Sequence, residues 1–259
     1  MHENLLVIDG LTVTADNAGK KKKLLNDISL TVPMKSIVGL VGESGSGKTT
    51  TGLSILNLLP AGLNIDKGSI CLNKENLLDK SPNQMRRIRG KEISMIFQEP
   101  LNAFNPVFTV GFQIDEVLKF HSLLDAKARK KRVYELLEIV GLENPERASL
   151  NYPHQLSGGM RQRAMVAQAI AGDPKLIIAD EPTSSLDVTL QAKIIELFKI
   201  LIDRLGLSIL LITHDLGMVR SVSSYVHVMK DGKVVESGET EQILNKPQDD
   251  YTKQLIQAI

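Results

Sequence analysis

A chain of 259 residues with 42% hydrophobic and 24% charged side chains is long enough to bury a real core, as one large domain or two small ones. Its formal net charge of only +1 excludes a bulk field that would draw nucleic acid or an anionic membrane. Cys71 is the sole cysteine, which excludes an internal disulfide framework and any multi-cysteine metal or iron–sulfur site, and fits a reducing compartment.

The N-terminal MHENLLVIDG lacks the charged start and apolar stretch of a signal peptide. No apolar run approaches the roughly 18 residues of a membrane-spanning helix, so a soluble chain is expected whose membrane role comes through a partner. LLVIDGLTVT and LLNDISLTV, separated by a polar loop with Lys20 to Lys23, predict an antiparallel hairpin. SIVGLV predicts a short buried parallel strand. KTTTGLSILNLL has helical spacing at Leu53, Leu56 and Leu59, with Pro60 as its stop. EISMIFQEP predicts a strand ending at Gln98, and LNAFNPVFTVG a loop. DAKARKKRVYELLEIVGL predicts a helix burying Val133, Leu136, Leu137 and Val140, with Gly141 as its C-cap. Its basic face is expected to be solvated. KLIIAD and SILLIT predict buried strands around the amphipathic helix TLQAKIIELFKILIDRLG, which ends at Gly206. Such alternation implies a parallel sheet with helices on both faces. VHVMKDGKVVESG predicts a hairpin turning at Asp231-Gly232.

Two stretches carry chemistry. Gly42, Gly47, Lys48 and Thr49 fit G-x-x-x-x-G-K-[ST] between a strand and a helix. Glycines let the backbone curl so that successive N–H groups share one concavity, and the helix start adds its positive end. Gly42, Ser44, Gly45, Ser46, Gly47, Lys48, Thr49 and Thr50 are therefore expected to cradle a polyphosphate, with Lys48 on the β- and γ-phosphates and the Thr49 hydroxyl on Mg²⁺. KLIIADEPTSSLD then delivers Asp180 to the carboxyl edge of the sheet, where it can hold Mg²⁺, with Glu181 following as general base for a water.

LSGGM, Leu156 to Met160, lies between these two stretches, and with it the chain resembles the ATP-binding cassette (ABC) ATPases over nearly its whole length. In the resemblance, Gln98 matches the Q-loop glutamine, Ser184 to Asp187 the D-loop, and His214 the switch histidine. It implies an α/β fold. A P-loop NTPase parallel-sheet core with an antiparallel β subdomain covers about 1–97 and 165–259, and an inserted α-helical subdomain about 98–164. It implies two cassettes packed head to tail, each ATP held between one chain's Lys48 and Thr49 and the other's Ser157, Gly158 and Gly159. Gln98 would ligate Mg²⁺ and sense a partner's movement, His214 would steady the γ-phosphate, and Asp187 would communicate between sites.

FNPVFTVGFQIDEVL, YPHQLSGGMRQRAMVAQAI and KPQDDYTKQLI further resemble the ATPases of bacterial dipeptide, oligopeptide and nickel importers, whose tail motif Pro247, Tyr251, Thr252 and Leu255 match. Met160, where many cassettes have glutamine, also fits that group. Its longer members continue into a cysteine-bearing extension, so this chain reads as a short form, which tilts the cargo toward nickel and metal chelates. The resemblance implies a peripheral position on the cytoplasmic face of the cell membrane. The partners it implies are a second, different ATPase chain, two transmembrane permease subunits and, indirectly, an extracytoplasmic solute-binding protein. The alternative is a soluble cassette ATPase acting on nucleic acid or ribosomes. Such relatives carry inserted coiled coils, zinc modules or two cassettes per chain, and this chain has none of these, so no nucleic-acid partner is expected. One departure concerns the base. The family stacks an aromatic residue on adenine from its first hairpin, but residues 1–41 contain no Phe, Tyr or Trp, and similar use of ATP and GTP is expected.

Overall fold

The computed structural model describes residues 3–17, 20–98, 103–184 and 186–257. Its strands are β1 (Asn4–Asn17), β2 (Lys20–Pro33), β3 (Ile37–Val41), β4 (Leu63–Leu72), β5 (Glu75–Asn76), β6 (Ile93–Ile96), β7 (Leu176–Asp180), β8 (Ser208–Thr213), β9 (Tyr225–Lys230) and β10 (Lys233–Glu239). Its helices are α1 (Lys48–Ile55), α2 (Pro82–Ile88), α3 (Val110–His121), α4 (Ala126–Ile139), α5 (Pro145–Leu150), α6 (Gly158–Ile170), α7 (Val188–Leu205), α8 (Leu216–Val222), α9 (Thr240–Asn245) and α10 (Asp250–Gln257). Contacts group the chain into two units, Met1–Arg86 with Ile202–Ile259, and Arg87–Leu201.

In the first unit β1 pairs antiparallel with β2 and β4, and β4 with β5. The most deeply buried residues of β1 are Leu6 and Ile8, then Leu11 and Val13, so the period of two slips by one residue in mid-strand. A register shift between Ile8 and Leu11 absorbs the slip, with Gly10 and Asp27 both at positive φ, and a bulge keeps both halves facing the core. The second ladder of this unit runs β10-β9-β3-β8: β3 is parallel to β8 and β9, and β10 is antiparallel to β9. β3 and β8 are buried at every residue, as strands covered on both faces must be. The β9–β10 turn has Asp231 at φ 47° and Gly232 at φ 73°, the two positive values a two-residue hairpin turn needs.

In the second unit β6 and β7 pair in parallel, and α3 to α6 follow β6 in the chain. Each of these helices has a side-chain N-cap: Thr109, Asp125, Asn144 and Ser157 accept from Phe112, Ala128, Arg147 and Met160 N–H. α4 ends as expected, with Gly141 left-handed just past the C-cap Val140.

The structure departs from the sequence expectation in several places. Lys20 to Lys23, expected in a loop between the first two strands, begin β2 itself and pair with the end of β1. α1 stops at Ile55, well before Pro60, because Asn57 turns left-handed and Leu58 N–H bonds back to the Leu53 carbonyl. β6 ends at Ile96 rather than Gln98. β4 has no counterpart in the sequence expectation: Asp66-Lys67-Gly68 interrupts its apolar pattern, and these three and Asn64 are exposed. Ala18, Gly19, Glu99 to Asn102 and Ser185, which belong to the lysine loop, the Q-loop stretch and the D-loop, lie outside the described residues.

Candidate active site

Within the first unit, β3 runs into the glycine loop at Gly42. A Cβ there would lie 2.1 Å from the Met229 carbonyl, and φ is 154°, so only glycine fits. The loop closes through Ser46 N–H to Glu43 O at 3.2 Å. Ser44 and Gly45 are exposed on its outside. Gly47, at φ 106°, caps α1 without a side-chain bond, so no side chain fills the helix start where Lys48, Thr49 and Thr50 begin the first turn. Lys48 is buried, and its Nζ arches back over the loop to donate to Gly42 O at 2.7 Å and Glu43 O at 2.8 Å. Thr49 is exposed and Thr50 half-buried. Ser46 Oγ is buried with no hydrogen-bond partner among the described residues. An inward ammonium, an uncapped helix start and an orphaned hydroxyl on one loop fit an anion with several oxygens.

The same unit brings His214 to this edge. Val41 and Thr213 are register partners in the β3–β8 ladder, so Gly42 and His214 are the next residue of each strand. His214 is exposed in a tight turn, in which Asp215 N–H bonds Thr213 Oγ1 at 3.0 Å and Asp215 caps α8 through Met218 N–H.

Within the second unit, Ile96 pairs with Ala179, which sets Asp180 and the exposed Gln98 at one end of the β6–β7 ladder. Asp180 is 4% exposed. Glu181 is left-handed at φ 47°, a conformation a glutamate adopts only when its surroundings hold it. Ser184 does part of this, donating to Glu181 O through both N–H and Oγ. Gln162, 1% exposed on α6, donates to the Pro182 carbonyl, and Gln191 to the Thr183 carbonyl at 3.3 Å. Asp187 caps α7 by accepting from Leu190 N–H at 2.9 Å.

The signature stretch opens α6. Ser157 is exposed and spends its hydroxyl on the Met160 N–H at 3.3 Å. A Cβ on Gly159 would meet Leu190 Cδ2 at 2.9 Å, so Gly159 lets α6 sit against α7. Gly158 is exposed, with no positive φ and nothing within 4 Å of a Cβ, so the fold itself does not require glycine there. Spacing alone does not single out Gln162. Its only signal is a polar side chain in the buried row of α6 that also holds Gly159, Val166 and Ala169.

Among the described residues no three His, Cys, Asp or Glu converge as a metal site. A divalent cation here would take single donors from the protein and oxygens from its ligand, which suits Mg²⁺ better than a metal needing a protein cage.

Residues 25–184 match the family model described as ABC transporter. The oligopeptide transport ATP-binding protein OppD of Lactococcus lactis is 43% identical over 256 residues, 99% of this chain and 76% of that protein. OppD of Bacillus subtilis is 42% identical, over 98% of this chain and 72% of its own length. Among solved structures, a dimeric post-hydrolysis state of an ATP-binding cassette bound to ADP and Pi superposes with a TM-score of 0.80 at 28% identity, covering 91% of this chain and 98% of that one. Sequence, fold and loop geometry thus agree that this chain belongs to the ABC transporter family.

Proposed function

We propose that this chain is the ATP-hydrolysing subunit of a bacterial importer for peptides, working by head-to-tail closure of two cassettes on ATP. The observation that carries the reading is the likeness at 43% identity, over nearly the whole chain, to a protein named for oligopeptide transport and ATP binding. The relatives described above are named for oligopeptides rather than nickel, which favours peptides as the cargo.

In this reading Lys48 and the loop amides bind the β- and γ-phosphates, and Glu181 takes the proton of the attacking water. His214 steadies the γ-phosphate. Thr49, Asp180 and Gln98 are the residues that would hold Mg²⁺, which when bound neutralises charge on the phosphate oxygens. Ser157, Gly158 and Gly159 reach across to the partner cassette's nucleotide, and Asp187 links the two sites. The exposed Gly158, needless for the fold, supports a contact made outside this chain. The second cassette is a different chain.

Membrane attachment is through permease subunits; among the described residues no helix is long and apolar enough to cross a membrane. A docking face for them is supported in the second unit, where Val107, Phe108, Phe112 and Leu150 are exposed, Phe108 and Phe112 are stacked at 4.7 Å, and a cavity of about 460 Å³ lies beside Phe112 and Leu150.

Uptake of labelled peptides and of nickel chelates by cells carrying either the wild-type chain or Glu181→Gln tests the whole. Loss of peptide uptake alone is expected. Loss of nickel uptake alone would move the cargo to metal chelates. Co-purification with ribosomes or DNA in place of two multi-helix membrane proteins would overturn the importer reading.

A further inference from the structure

The C-terminal helix α10 carries a residue aimed at the glycine loop. Tyr251 is 6% exposed, and its hydroxyl accepts a hydrogen bond from the Glu43 N–H at 3.0 Å, across 208 positions of chain. Glu43 is the first residue after Gly42, where the backbone leaves β3 and begins to curl. Burial, first, raises the Tyr251 pKa above the ordinary phenol value, so at neutral pH the group is a neutral phenol with a lone pair for that amide.

The ring is held from two further sides. Lys230 Nζ sits 4.5 Å from its centroid. The start of α10 is pinned by the Glu236 carboxylate, which accepts from Gln248 N–H at 2.8 Å and Asp249 N–H at 3.2 Å, and by Asp249, which accepts from Tyr251 N–H at 2.9 Å. The β9–β10 hairpin supports the other end of the loop. Gly232 N–H donates to Ser46 O at 2.9 Å, and Met229 O abuts Gly42. The loop is thus tied on its outer side at both ends, at Glu43 by the tail and at Ser46 by the hairpin. Its inner side is left to the Lys48 ammonium and the start of α1.

We propose that Tyr251 is a positioning residue for the phosphate loop: by fixing the Glu43 amide it sets the curl through which the following amides and Lys48 meet the triphosphate. This rests on the reading of that loop as the ATP site. It gives the tail motif a task inside the same chain. Tyr251 touches no substrate. It acts through the loop, so its loss should appear as weaker nucleotide binding rather than as a slower step on bound nucleotide.

Tyr251→Phe tests this directly, since it keeps the ring, its packing and the Lys230 contact and removes only the acceptor. In the full chain, hydrogen–deuterium exchange at the Glu43 amide should quicken by about tenfold, as expected when one protecting bond is lost. The Kd for ATP should rise about three- to tenfold, the size of one net hydrogen bond, while the melting temperature without nucleotide stays within about 2 °C of wild type. An unchanged Kd in Tyr251→Phe beside a wild type that binds ATP would overturn the positioning role and leave the loop assignment standing. A wild type that does not bind ATP would remove the loop assignment and this role with it.

Discussion

Glu181 shows how a single residue's backbone bears on its chemistry. Its left-handed φ of 47° is uncommon for a side chain of its kind and is held by Ser184 on one side and, through Pro182, by Gln162 on the other. A substitution that keeps the length and polarity of the side chain leaves those backbone bonds intact and removes only the ionisable oxygen. Glu181→Gln should therefore bind ATP, lose roughly two to four orders of magnitude in hydrolysis, and elute as a dimer with the partner cassette when ATP is present in size-exclusion chromatography. Full turnover by this variant would take the general-base role from Glu181. His227 is a different case, a buried titratable group with a structural task. It is 3% exposed between Ser237 Oγ at 2.7 Å and the Thr31 carbonyl at 3.2 Å. Burial holds its pKa down to about 4, against a weaker upward pull from its hydrogen bond with the Thr31 backbone. The unfolded chain takes up this proton near pH 6.5, so its contribution to stability is complete above that pH and is lost as the pH falls toward 4, by about 3 kcal/mol in all. Thermal melts between pH 7 and pH 4 should slope less steeply in His227→Gln than in wild type.

The β1–β2 hairpin is the element whose chemistry departs most from the resembled family. It brings no aromatic ring, and two of its lysines are engaged along its surface: Lys21 pairs with Asp66 at 3.7 Å, and Lys23 donates to Asn26 at 3.0 Å. Phosphate binding needs no base contact, so ATP and GTP should be hydrolysed within about twofold of each other, in keeping with discrimination that needs a base-specific contact of a kcal/mol or more. Rates measured side by side check this, and a preference of about a hundredfold for ATP would refute it. How far elements could be read from sequence followed how local their causes are. β3, the loop and the start of α1 were legible because an apolar run, glycines and a lysine lie within a dozen residues. Likewise α4 with its Gly141 stop, and the Asp231-Gly232 turn, declare themselves in a few adjacent side chains. β4 was not legible, because it exists through pairing with β1 and its own pattern is broken by Asp66-Lys67-Gly68. The contacts of Gln162 and Tyr251 stayed hidden for a similar reason. Their partners lie 20 and 208 positions away, and no spacing rule reaches that far.

For the whole molecule, the two units each contribute a set of groups that is chemically partial. The first holds the phosphate loop and His214; the second holds Gln98, Asp180, Glu181 and the Ser157 helix start. The proposed mechanism adds a second chain, and Ser157 is where that addition can be tested. Its Cα lies on an exposed N-cap, so Ser157→Arg should cost the monomer only the cap, about 1 kcal/mol. It should leave ATP affinity of the isolated chain unchanged while preventing ATP-dependent dimerisation with the partner cassette, measured by light scattering. Loss of affinity in the monomer would contradict a contact made from across the pair. The neighbouring Gly158 has a quieter consequence. Because neither its backbone angles nor its surroundings demand a bare residue, an alanine there would escape any screen that scores solubility, expression or melting. In a cell making both forms, a well-folded impostor of this kind would take its seat on a share of the transporters and stall the different cassette beside it, leaving the remainder at work.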